Sequence, residues 1–331
     1  MNTLNKTQKI ILKELFLKKN ATRKELADKA GISLPALTLS LKRLFEKEML
    51  LSSKNSNGKV GRDKEILTLN PDCAHFLSID IRQHHVTFVV IDFQGNILED
   101  KEMLLTDEPG KEVESIVQRY HINQAIMTYR FHPNKVKVKE LYGSMIDPLV
   151  HNGIPLNSFN NVEALSLIYE FRYPSENSFL LLKYGPGMGS SIFVNGSLVR
   201  SDDSENSEIG HVYLPDGKRL EDILSYTSLF GKPVSEPDGY ELLKKDKKLT
   251  DHVLDILALT LVDADSFLSL DKIIFAGLLL SDDRILNEIK IRARKIAPGF
   301  NVEKISTYPD YAFSNKLKGV TLGFLTFLDR E

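Results

Sequence analysis

One cysteine, Cys73, occurs in 331 residues, which excludes an intramolecular disulfide and any zinc site built from several thiolates. Cys73 is therefore read as an inert, partly buried thiol, and neighbouring His75, with no patterned cysteine or aspartate around it, as a packed or solvent-facing histidine. No apolar run reaches the roughly 18 residues of a membrane span, and Lys9 to Leu17 is broken by Lys13 and Glu14. A cytoplasmic protein with no signal peptide and no membrane partner is expected. No repeat of fixed period runs through the chain. The small net charge of −2 conceals an uneven distribution. Residues 1–70 carry fifteen Lys and Arg against seven Asp and Glu, a balance of +8, and the remainder carries 28 against 38, a balance of −10.

The basic segment reads as three helices and a wing. Ile11, Leu12, Leu15 and Phe16 form an amphipathic stripe. Thr22 and Glu25 stand at capping-box spacing, and Gly31 supplies a left-handed terminator. Ser33 can cap a third helix whose first turn accepts Pro35 and whose apolar face holds Ile32, Leu37, Leu41 and Leu44. Leu50-Leu51, the turn Asn55-Ser56-Asn57-Gly58 and Ile66-Leu67-Thr68-Leu69 follow as a hairpin, with Lys54, Lys59, Gly61, Arg62 and Lys64 between or beside its strands. Helix spacing, wing and charge together predict a winged helix-turn-helix over 1–70 that binds double-stranded DNA. Ser33, Leu34, Ala36, Thr38, Ser40, Lys42 and Arg43 on or before the third helix, and Lys59 and Arg62 in the wing, are the candidate DNA contacts. Few of them can make bidentate base contacts, so phosphate contacts from Lys42, Arg43 and Lys59 are expected to set much of the affinity.

After Asn70-Pro71 the chain alternates as an α/β domain. Phe76 to Ile81, Val86 to Asp92 and Ile97-Leu98 read as an antiparallel meander with a turn at Gly95-Asn96. Helices are expected over 112–120, 161–171, 252–270 and 316–328, and strands over 124–128, 178–184, 190–194 and 272–276. Gly185-Pro186-Gly187-Met188-Gly189 joins two of those strands, and Asn195-Gly196 makes a further turn.

The order of winged head, Asp80 strand, glycine turn at 185–189 and Glu208-Ile209-Gly210-His211 resembles the ROK family, which groups bacterial sugar-responsive repressors with sugar kinases. The likeness spans nearly the entire chain. It implies a winged helix-turn-helix followed by a two-lobed actin-like, hexokinase-like (ribonuclease H-like) ATPase-type α/β fold with a sugar cleft. The expected divisions are 1–70, a first lobe over 71–175 joined by the C-terminal helix 315–331, and a second lobe over 176–314 that carries oligomerisation. The resemblance also implies a homodimer or homotetramer.

Three departures from the family pattern bear on chemistry. Asp80-Ile81-Arg82-Gln83-His84-His85 stands where family kinases have an Asp-x-Gly-Gly-Thr phosphate cradle, so side chains fill space that glycines leave open. Asn160-Asn161 replaces the Asn-Asp pair whose aspartate is the base. An amide cannot take that proton, and losing general-base catalysis costs roughly 10²- to 10⁴-fold. Residues 212–220 contain no cysteine where the family has a zinc loop, so no metal and no cofactor are expected.

The amide substitution removes chemistry and leaves a means of binding a sugar, since an amide both donates to and accepts from a hydroxyl. Asn160, Asn161, Glu208, His211 and Glu221 are the candidate effector residues, with a structural histidine as the alternative for His211. The expected function is a DNA-binding transcriptional regulator, a repressor of carbohydrate uptake or catabolism genes, whose catalytically inactive body senses a sugar, sugar phosphate or sugar derivative. One alternative is the same regulator with a body serving only dimerisation or protein docking. Another is an active sugar kinase.

Overall fold

Asn5 accepts from the backbone N–H of Gln8 and opens helix α1 (Lys6–Lys18) with a reciprocal capping box. Thr22, in the two-residue strand β1 (Ala21–Thr22), caps α2 (Arg23–Ala30) in the same way with Glu25, and Gly31 ends it at φ +66°. Ser33 caps α3 (Leu34–Glu46), with Pro35 in its first turn. Strands β2 (Leu50–Asn55) and β3 (Lys64–Leu69) pair antiparallel, and β1 adds to β3, completing a three-stranded sheet. The structure, a computed structural model, describes residues 3–55, 64–82, 84–129, 135–199 and 208–331.

The chain divides into two units, Met1–Phe159 with Leu317–Glu331, and Asn160–Lys316. In the first unit, β4 (His75–Ile81), β5 (His85–Asp92) and β6 (Ile97–Leu104) form the expected meander. Helix α4 (Pro109–Arg119) returns the chain so that β7 (Ile122–Tyr129) lies parallel to β4, and α5 (Lys135–His151) leads to β8 (Leu156–Asn160). The strand order is β6-β5-β4-β7-β8. Leu77, Ile79, Ile81, Val86, Phe88 and Val90 alternate onto one face and pack with Val113 and Ile116 of α4 and Met145 and Leu149 of α5.

The second unit opens with α6 (Asn161–Arg172) and repeats the pattern: β9 (Phe179–Tyr184), β10 (Met188–Val194) and β11 (Ser197–Leu198) are antiparallel. Then α7 (Leu220–Leu224), α8 (Tyr226–Phe230), α9 (Glu236–Lys245) and α10 (Lys247–Leu268) lead to β12 (Lys272–Ala276), which lies parallel to β9. Helix α11 (Asp283–Ile296) precedes β13 (Ile305–Thr307), and α12 (Tyr311–Arg330) closes the chain. The order β11-β10-β9-β12-β13 reproduces the topology of the first sheet, a duplication with no counterpart as a sequence repeat. Alternation along β9 sends Leu180 and Leu182 toward the cluster with α10 and α11, and Phe179 and Leu181 toward Val162, Leu165 and Tyr169 of α6. That second contact puts α6 with the second unit, whereas the sequence-based division at 175 had assigned it to the first lobe.

The winged head is part of the first unit through α12. Phe16 of α1 stacks on Phe324 at 4.1 Å between ring centroids, and Phe76, Phe93 and Phe327 extend the aromatic cluster. Polar contacts surround it: Leu4 N–H donates to Glu331 O at 2.8 Å, Lys9 pairs with Asp329 at 2.8 Å, and Lys47 with Glu331 at 3.1 Å.

Candidate functional site

On the head, the third helix buries Leu37, Leu41 and Leu44 and leaves Leu34, Ala36, Thr38, Leu39, Lys42 and Arg43 exposed. Ser33 is occupied as the cap, its Oγ accepting from Ala36 N–H at 3.5 Å, and Ser40 is half-buried. Lys42 lies 3.8 Å from Glu46 with most of its side chain in water, a separation at which the pair holds little energy. Arg23 binds Glu65 bidentately and ties α2 to strand β3 of the wing, and that hydrogen bond holds the Glu65 carboxyl below its ordinary range. Lys59 and Arg62 lie outside the described residues.

The candidate effector residues gather around the start of β10. Gly189 meets Val162, one residue into α6 from Asn161, and Gly210 sits against Met188 O and the Glu221 side chain, so a Cβ at either glycine would collide. The Glu221 carboxylate accepts from Met188 N–H at 3.2 Å, and Ser190 Oγ accepts from Ile209 N–H at 2.7 Å. His211 Nε2 stands 3.6 Å from Glu208 and 3.9 Å from Glu221, half exposed above two carboxylates that are mostly covered. Asn160 is a buried N-cap whose Oδ1 accepts from Val162 N–H at 2.8 Å. Asn161 differs: its Oδ1 is buried with no hydrogen-bond partner among the described residues. A buried, unpartnered amide oxygen is costly and is satisfied by an incoming hydroxyl or water. Among the described residues no three histidine, cysteine, aspartate or glutamate side chains are placed to hold a metal ion.

Two further positions, both missed in the sequence, pack against segments that resemble phosphate turns. The first is Glu236, at the start of α9, whose carboxylate accepts from Leu278 N–H at 2.8 Å and whose Cγ lies 3.5 Å from the position of a Cβ on Gly185. Gly277 adopts φ +115°, which only glycine takes easily, and has Tyr184 O and Glu236 as its immediate neighbours. The carboxylate thus stands beside both glycine turns and repels an anion there. No local pattern distinguishes Glu236 from an ordinary acidic residue in a helix's first turn.

The second is Lys318. Its ammonium lies 2.9 Å from Asp80 Oδ2, with both side chains buried, and Thr128 Oγ1 donates to Asp80 Oδ1 at 2.7 Å. Arg82 adds a contact at 3.3 Å. Burial pushes the Asp80 carboxyl up, but the charges of Lys318 and Arg82 and the hydrogen bonds from Lys318 and Thr128 outweigh it and hold the group below the usual carboxylate range. Asp80 is therefore neutralised within the chain.

A capped three-helix head with a wing, joined to a duplicated α/β body with these residues at its turns, resembles the fold of ROK family proteins. No family model matches the chain. It is 24% identical over 271 residues to the xylose repressor of Staphylococcus xylosus, covering 69% of this chain and 68% of that protein. Its fold matches the crystal structure of a ROK family transcriptional regulator, a homologue of the E. coli MLC protein, with a TM-score of 0.70 at 14% identity over 97% of both chains. The ROK hexokinase from Thermus thermophilus matches at a TM-score of 0.61 and 14% identity, with 76% of this chain covering 99% of that one. A ROK family protein from Streptococcus pneumoniae crystallised with sucrose matches at 0.62 and 15%, with 78% of this chain covering all of that one. The part of this chain left unmatched in the latter two is comparable in length to the head.

Proposed function

We propose that the protein is a sugar-responsive transcriptional repressor that binds operator DNA through its winged head, acts as a homodimer or homotetramer and has no phosphotransfer activity. The observation that carries this reading is the joining of a basic head with an exposed third helix to a ROK-type body in which polar groups suited to hydroxyls stand around β10. The similarity to a xylose repressor and to a regulator matched over head and body supports it. Asn161, Glu208, His211 and Glu221 are assigned to the effector, with Asn160 holding the helix that presents Asn161. Candidate DNA contacts are Ser33, Leu34, Ala36, Thr38, Ser40, Lys42 and Arg43, with Lys59 and Arg62 in the wing.

A kinase reading meets three obstacles: Asn161 is no base, Glu236 faces the glycine turns with negative charge, and Lys318 already neutralises Asp80. Regulation requires that the sugar bind the DNA-competent and DNA-incompetent states with different affinity, because equal affinity shifts nothing. Isothermal titration with pentoses including xylose, hexoses, amino sugars and their phosphates, repeated on Glu208→Ala, tests the assignment. Heat released by one sugar and lost in the variant is expected. Silence across the panel would remove the sensor and leave a body for dimerisation or protein docking, and sugar-dependent ATP turnover by pure protein would remove the non-enzyme reading.

A further inference from the structure

We infer that α3 reads thymine C5-methyl groups in the major groove, with Leu39 as the central specificity-determining residue; this rests on the reading of the head as DNA-binding. Leu39 is 71% exposed and lies about opposite the buried Leu37, Leu41 and Leu44 on the helix. Its exposed neighbours over the first two turns are Pro35, Ala36 and Thr38, and Leu34 beside them is 52% exposed. Thr38 turns its hydroxyl back onto Leu34 O at 2.9 Å, which commits its proton to the backbone rather than to a base. The face that would enter a groove is thus apolar, flanked by the cations Lys42 and Arg43. Each base pair displays donors and acceptors in the major groove, and the thymine methyl is the one apolar group there. An apolar patch in the middle of a segment of charge +8 matches a polyanion that exposes methyls better than it matches a protein surface.

The test takes a random duplex pool through selection with the full chain, then compares the enriched duplex with a copy carrying deoxyuridine for thymidine. That change removes the methyl and keeps the base pairing. Binding about fourfold weaker for each methyl covered is expected. Leu39→Ala should bind the thymidine duplex more weakly and show a smaller difference between the two duplexes, the signature of direct coupling. Equal affinity of the wild type for both duplexes would overturn methyl readout while leaving DNA binding intact. An undiminished difference in Leu39→Ala would overturn the role of Leu39, and a changed oligomeric state in that variant, measured by light scattering, would reassign the face to a protein contact. Failure of the pool to enrich any duplex would defeat the DNA-binding reading itself.

Discussion

Lys318 places its ammonium 2.9 Å from the Asp80 carboxylate, and the two residues stand 238 positions apart in the chain. Removing one partner from a buried pair strands a charge and costs about 3–5 kcal/mol. Lys318→Met should therefore unfold at markedly lower urea concentration, and the double variant Asp80→Asn with Lys318→Met should regain much of the loss. Additive effects of the two substitutions would contradict the pairing.

The same pair sets an acid response. Because the Asp80 carboxyl titrates below its unfolded value of about 3.9, its contribution is fully present above that pH and is lost as pH falls through the folded value. Stability measured by urea midpoint between about pH 4 and pH 2 should decline less steeply in Asp80→Asn than in the wild type.

Phe16 anchors the head by stacking on Phe324. Truncation to alanine in such packed surroundings costs about 3 kcal/mol or more, and the loss should fall on the contact between α1 and α12. Hydrogen exchange is the discriminating measurement: faster exchange in Phe16→Ala at Leu4 N–H, which donates to Glu331 O, is expected. Unchanged protection there would show that the polar contacts alone hold the head.

Burial, with help from the carboxylates of Glu331 and Glu48 and against the charge of Lys47, pushes the Cys73 thiol up to about 11. An unperturbed thiol titrates near 8.5, so at pH 8 the folded protein holds over a hundredfold less thiolate, roughly, than the unfolded chain. Alkylation by iodoacetamide should be correspondingly slower in the native protein than in urea. Comparable rates would show the thiol to be accessible and reactive.

Lys42 is well exposed on the outward side of α3 and only loosely paired. Lys42→Ala should weaken DNA binding across sequences and make the dependence of log affinity on log salt shallower by about one, as expected for one lost phosphate contact. A weaker complex with an unchanged slope would mean that Lys42 reads bases instead.

The winged head was legible in the sequence because its signals are local. The capping pair Thr22–Glu25, the Ser33 cap, the left-handed Gly31 and the spacing of Leu37, Leu41 and Leu44 each depend on residues within a turn or two, and the structure forms all of them. The same holds for the Asn195-Gly196 turn, where both residues take positive φ, and for the amide pair at 160–161 that opens α6. Even so, the sequence alone did not distinguish the two amides. Only packing makes Asn160 a buried cap and leaves the Asn161 oxygen without a partner among the described residues.

What tertiary structure alone decided are the long-range relations. The duplicated sheet order, the attachment of α6 to the second unit, Lys318 against Asp80 and Glu236 between Gly185 and Gly277 join segments tens to hundreds of residues apart. Side-chain periodicity shows which face of a helix or strand is buried but not what buries it. The partner is chosen when the chain closes those loops and the apolar faces find one mutually consistent packing, and only then do a lysine and a glutamate that look unremarkable in sequence acquire their places.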